Sequence, residues 1–401
     1  MLLLLSLAMA DDTDRLADEA VAANPSLQAM QARTRQLEAL AEVADVWPDP
    51  MVGAAYSNMA VSAPLPGNHP MSGVQLEARQ TLPAPGVTAL RAEVATGQVE
   101  ISEQATLEAE LLLRMQVDQT WWRLALSRSL GSVTERHLAL TVELLGAVRS
   151  RYEVGSAGQS ALLRLGLLTE RLKDDLGDYE RADIELSAGL AKALARDDAT
   201  FETPAELEPV AVEGTVDAWL ASAAEARPEL RRLQLVAQNE ELAADLALVD
   251  ARPDLTVWGG YRIRTQQPEG TDLVSVGLSA PLPFNSRKRA EGMASGHLEA
   301  ASAARAQYEA ALDQLEASLT STHARWTRAA DKAHTYETVL IPAAEATLET
   351  TLSDFRVDKA GFSSLYEAEV DLLTLERAWL VAAAETHIQR AETRALIGAN
   401  P

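Results

Sequence analysis

One plan is written twice along this chain, at a shift near 203 residues, so the fold must be built from two like halves. Asn24-Pro25-Ser26-Leu27 is answered by Arg227-Pro228-Glu229-Leu230, Trp47-Pro48-Asp49 by Arg252-Pro253-Asp254, and Leu82-Pro83 by Leu282-Pro283. The longest window sets Tyr152–Leu162 against Phe355–Leu365, with Val, Ala, Gly, Ser and Leu kept in place. Four windows recurring in one order are not chance. Each half predicts a first helix (Asp14–Ala44, Val216–Asp250), two short extended segments, a very long helix (Val87–Arg151, Arg287–Phe355), a glycine-containing turn and a closing helix (Ser160–Ala195, Ser363–Ile397). Asp197–Gly214, with Pro204 and Pro209, reads as the linker.

The long helices exceed the needs of a single-core domain, since sixty-five residues at 1.5 Å each reach ~100 Å. Leu107, Leu111, Met115, Val117 and Leu124 recur at threes and fours, a packing stripe. Pro342 interrupts the second long stretch, so a kink is expected near Leu340.

The extended segments alternate. In Gly73–Leu82, Val74, Leu76, Ala78, Gln80 and Leu82 oppose Gln75, Glu77, Arg79 and Thr81. In Leu273–Leu282, Val274, Val276, Leu278, Ala280 and Leu282 oppose Ser275, Gly277 and Ser279. Asp254–Ile263 alternates too, with Trp258 as the exception, and Asp49–Asn58 is weaker. Segments of about ten residues suit a tilted membrane strand. A half-buried sheet in a soluble domain has the same alternation. Four strands cannot seal a membrane barrel, and open edges are not tolerated in lipid. If these strands span a membrane, several copies share one barrel: two give eight strands and three give twelve. An eight-stranded interior is filled by side chains, so three copies are expected.

Composition narrows the classes. The net charge is −24, which removes a basic nucleic-acid footprint. No cysteine is present, which removes disulfides, thiolate metal sites and an N-terminal lipidated cysteine. No Walker loop, dinucleotide turn, Gly-x-Ser-x-Gly elbow or His-Glu-x-x-His occurs, so no enzyme and no cofactor are expected. Met1–Ala10, MLLLLSLAMA, has the look of an export leader cleaved after Ala10, although no Lys or Arg precedes the leucines. The alternative is a greasy first helical turn. The expected divisions are residues 1–10, a leader, 11–205, the first repeat, and 206–401, the second.

These motifs and their order resemble the TolC-like outer-membrane efflux protein family. The resemblance rests on Asn24–Leu27, Arg227–Leu230, the Leu-Pro strand ends, Ile341-Pro342-Ala343-Ala344-Glu345 and the two turns, and spans about Asp14 to Ile397. It implies a mainly α chain with membrane β: a long α-helical barrel plus four strands per chain in a shared 12-stranded trimeric β-barrel. It also implies a homotrimer in outer-membrane lipid, with a helical periplasmic tunnel that docks onto a periplasmic adaptor and an inner-membrane pump. The duct would be passive and open by untwisting at the helix tips. The heavy-metal cation-efflux branch is the most similar. Two alternatives stand beside it: the duct of a protein secretion system, and a soluble periplasmic coiled-coil scaffold or adaptor.

Tyr152, Gly155, Gly158, Phe355 and Gly361 are the expected tip and docking residues, with Asp358 standing where the first copy has Gly155. In some family members acidic residues narrow the mouth after the second tip. The first such position falls on Ser364 here and the second on Glu367, with Glu369 and Asp371 following. A ring of carboxylates, one per chain, would attract cations; a solvated acidic helix face is the alternative. Asn68-His69-Pro70-Met71, near Met59, is either a soft-metal loop or an ordinary extracellular one. Trp121-Trp122 is expected to pack between helices. Trp258, Tyr56 and Tyr261 mark a membrane interface or pack within the sheet.

Overall fold

The structure, a computed structural model, describes residues 2–59, 61–62, 71–155, 158–264 and 272–398. The first half runs α1 (Leu2–Ala23), α2 (Pro25–Ala41), β1 (Met51–Ser57), β2 (Gly73–Leu82), α3 (Val87–Glu153) and α4 (Gln159–Ala193). The second runs α5 (Val216–Ala226), α6 (Pro228–Val249), β3 (Leu255–Arg264), β4 (Leu273–Ser279), α7 (Ser286–Thr335), a π turn (Tyr336–Leu340), α8 (Ile341–Arg356) and α9 (Phe362–Ile397). The loop positions Asn68, His69 and Pro70 lie outside the described residues.

The single first helix expected in each half is two helices. Each break falls on the repeated proline motif, because Pro25 and Pro228 have no N–H to continue the ladder. Asn24 turns the first break into a cap: its Oδ1 accepts from Ser26 N (3.0 Å) and Leu27 N (3.4 Å), and its Nδ2 donates to Ala193 O (3.1 Å). At the second break Arg227 donates to Leu396 O (3.2 Å) and Glu108 (3.1 Å). The kink expected near Leu340 takes the form of the π turn at Tyr336–Leu340, just before Pro342.

Two compact units form, and both repeats contribute to each. One unit takes residues 1–30, 106–228 and 311–401; the other takes 31–105 and 229–310. The first is all helix and linker. Its core gathers Trp121, Trp122, Leu124, Leu168, Leu172, Leu190, Phe201, Leu207 and Leu380, with Trp121 Nε1 donating to Glu202 O (3.2 Å). The tryptophan pair packs helices, as its place in α3 implies. A second cluster surrounds Phe355 and includes Leu144, Val148, Leu165, Leu348 and Leu365.

The other unit holds the sheet, order β1-β2-β3-β4, antiparallel throughout. Its helical part is closely packed. A Cβ on Gly97 of α3 would lie 2.3 Å from Asn239 Oδ1 of α6, so a larger residue there would have to displace the buried Asn239 side chain. Thr34 and Ser102 hydroxyls meet at 2.8 Å, and His297 Nδ1 lies 2.7 Å from Glu240. β4 stops at Ser279, short of the expected Leu282, where Pro281 and Pro283 follow.

Candidate gate, tips and membrane sheet

Register fixes the two faces of the sheet. Val52 pairs with Ala78, Leu76 with Tyr261, Val74 with Ile263, Val257 with Leu278 and Gly259 with Val276. Paired residues share a face, so one side carries Val52, Tyr56, Val74, Leu76, Leu255, Val257, Tyr261, Ile263, Val274, Val276 and Leu278. Gln80 is its polar member. The other side carries Gln75, Glu77, Arg79, Thr81, Thr256, Arg262 and Ser275, with Arg262 donating to Gln75 Oε1 at 2.6 Å. Trp258, the exception to the alternation, lies on this polar side opposite Gly277. The apolar side is bare: Val52 is 86% and Val276 81% exposed. A continuous exposed apolar face is a contact surface for lipid or protein, not for water. Among the described residues the outer edges of β1 and β4 have no partner strand.

Among the described residues the two tip turns share their left-handed position. Gly155 has φ +78° and Asp358, its counterpart, φ +63°. The Gly-to-Asp exchange therefore keeps the left-handed turn, at the cost that conformation carries for a residue with a Cβ. Gly158 and Gly361 each precede a helix in an extended conformation, φ −81° and −79°. Ser156 and Ala157 lie outside the described residues. Tyr152 is exposed, whereas Phe355 is buried in its cluster.

Arg151, which the sequence did not single out, joins the two tips. Its Nη1 donates to Asp358 Oδ1 (2.7 Å), its Nη2 to Phe355 O (2.9 Å), and its guanidinium lies 4.3 Å from the Phe355 ring centre. The strained Asp358 turn is thus held from the other repeat.

On α9, Ser364, Glu367 and Asp371 are exposed on one stripe, and Ser363 Oγ donates to Glu367 Oε1 (3.2 Å). Glu369 is a correction. It is buried, with Oε1 accepting from His137 Nδ1 at 2.7 Å, so it faces the helical core and does not join a solvent-facing ring. The reason is helical period: two residues from Glu367, at about 100° each, point it to the far side. His137 Nε2 also meets Glu376 Oε2 at 2.9 Å.

A second buried histidine behaves oppositely. His387 stacks on Trp122, ring centres 3.4 Å apart, and donates from Nε2 to Glu208 O (2.7 Å). Burial, and then the charge of Arg390, pull it down to about 3 against that bond, so it is a neutral packing residue. Among the described residues no group of three His, Asp or Glu side chains could hold a metal ion.

An open sheet with a bare apolar face, on a chain built mostly of long helices, is the form that one subunit of a shared β-barrel would take. Residues 16–196 match the family model for outer membrane efflux protein. The whole chain shares its fold with solved outer-membrane proteins. For VceC of Vibrio cholerae the TM-score is 0.80 at 16% identity, covering 97% of each chain. For the MtrE channel of Neisseria gonorrhoeae, solved in its open state, the TM-score is 0.76 at 17% identity, covering 96% of this chain and 88% of that one. For CusC it is 0.79 at 14% identity, covering 97% and 92%. A comparison with curated protein sequences finds no match. Residues 16–196 thus carry the sequence pattern of outer membrane efflux proteins, and the full length carries the fold of solved outer-membrane channels.

Proposed function

We propose that three copies of this chain form a passive export duct that works with a periplasmic adaptor and an inner-membrane pump. The leader Met1–Ala10, cleaved after Ala10, delivers the chain across the inner membrane. The carrying observation is the four-stranded sheet with an exposed apolar face and, among the described residues, no partner strand at either edge. Three such sheets give twelve strands, closed edge to edge, with the apolar faces in lipid and the polar faces around water. The two tip turns form the mouth, with Tyr152, Gly155, Gly158 and Gly361 shaping the surface offered to the adaptor.

Small solutes or metal cations are the cargo, moved by the pump and only conducted here. Glu367 and Asp371, exposed one turn apart on α9, supply the cation preference at the mouth. Three copies of each, in a narrow ring, concentrate cations and repel anions. The test is ion selectivity in planar bilayers. Glu367→Ala should lower the cation-to-anion permeability ratio about fivefold, the equivalent of roughly 1 kcal/mol. Glu367→Gln should match it, since the loss is of charge. An unchanged ratio in both variants would remove Glu367 from the gate.

A further inference from the structure

The duct as described has no use for the buried histidine that joins α3 to α9. His137 is 5% exposed and Glu369 1%, so the contact is shielded from solvent. The His137 ring meets a carboxylate at each nitrogen, Glu369 Oε1 at Nδ1 (2.7 Å) and Glu376 Oε2 at Nε2 (2.9 Å). Neutral imidazole has one N–H and could donate to only one of them. Two acceptors on opposite sides of the ring select the imidazolium. Glu369 and Glu376 are seven residues apart, two turns of one α9 face, so a single cation grips the helix along its length. The second oxygen of Glu369, Oε2, is buried with no hydrogen-bond partner among the described residues. Arg136, on the histidine's own helix, reaches Glu376 at 3.4 Å. Arg377 of α9 turns to Asp175 of α4 (2.7 Å) and to Thr134 of α3 (2.8 Å).

We propose that His137 is a positioning residue for the gate: its imidazolium holds α9 in the rotation that puts Glu369 inside and Glu367 and Asp371 outside, and loss of that proton frees the helix. The inference rests on the reading of Glu367 and Asp371 as the mouth's carboxylates. Burial by itself lowers the affinity of this imidazole for its proton. The hydrogen bonds and charges of Glu369 and Glu376 outweigh it and push the pKa up to about 9, from the usual 6.5. The sign follows. The clamp's contribution is whole below the unfolded value of 6.5 and is lost as pH rises through about 9. Above that, two carboxylates face each other across a neutral ring and repel.

The experiment follows channel conductance and amide hydrogen exchange in α9 from pH 7 to alkaline pH, with exchange corrected for its intrinsic pH dependence. In the native trimer both should step up near pH 9. His137→Gln keeps a donor and an acceptor but no charge. It should already exchange about tenfold faster at neutral pH and show no step. Glu376→Gln leaves the Glu369 contact intact, and serves if His137→Gln fails to assemble. It should move the step toward neutral pH by about one unit. A native profile in either variant overturns the clamp. If Glu367→Ala leaves selectivity unchanged while the pH step persists, the gate reading fails and the clamp stands.

Discussion

Arg151→Ala should open the periplasmic mouth: single-channel conductance in planar bilayers should rise and its closed dwell times shorten. Across the two tips the side chain donates to Asp358 Oδ1, Phe355 O and Arg356 O, and it lies over the Phe355 ring. Asp358 and its neighbours are solvent-exposed, so the ion pair itself is screened. The bond to the Phe355 carbonyl and the packing on the buried ring contribute most. Losing roughly 2 kcal/mol of such contacts would shift the closed-to-open ratio by roughly thirtyfold. Two companions separate the causes. Arg151→Lys keeps the charge but not the planar fork, and should lie between native and Ala. Asp358→Gly relieves the left-handed turn while removing one contact, so the tip keeps its shape and the conductance rises less than with Ala. Native conductance in Arg151→Ala would show that the link between tips does not restrain the mouth.

The second large effect concerns assembly. In a strand, alternate N–H groups point to the same side, so prolines at Val274 and Val276 strike one neighbour, and prolines at Ser275 and Gly277 strike the other. One pair therefore breaks the ladder to β3, and the other removes donors from the outer edge of β4. On a true free edge the outer pair would be tolerated, because proline is at home there. On an edge that pairs with a second copy, neither pair is tolerated. Both Val274→Pro/Val276→Pro and Ser275→Pro/Gly277→Pro should abolish the trimer, read by cross-linking and by size in detergent. Survival of the trimer in both double variants, one of which must strip the outer edge, would mean that β4 has no partner in the assembly.

The sheet was the most legible part of the sequence, because a period of two needs only local residues to declare both faces. β2 has the expected bounds, Gly73–Leu82, and the apolar set read from alternation is the set that register gathers on one face. The duplication was legible too, since both tips repeat the same residues at the same spacing. The proline breaks were less so. The rule that interrupts a helix at Pro342 applies equally at Pro25 and Pro228, where the smooth apolar pattern on either side masked it. Glu369 was misplaced for want of the same care with period: Glu367 and Asp371 share a helix face, and the residue between them cannot. Arg151 and His137 had no local signal at all. Their partners lie 207 and 232 residues away, and only the folded chain brings them together.

The mass of the mature chain's assembly, measured by light scattering in detergent, tests most directly whether a sheet with two unpaired edges completes itself with copies of its own kind. Three chains per particle, insoluble once detergent is removed, is the expected result. A single chain, stable in plain buffer with its strands still formed, would contradict it.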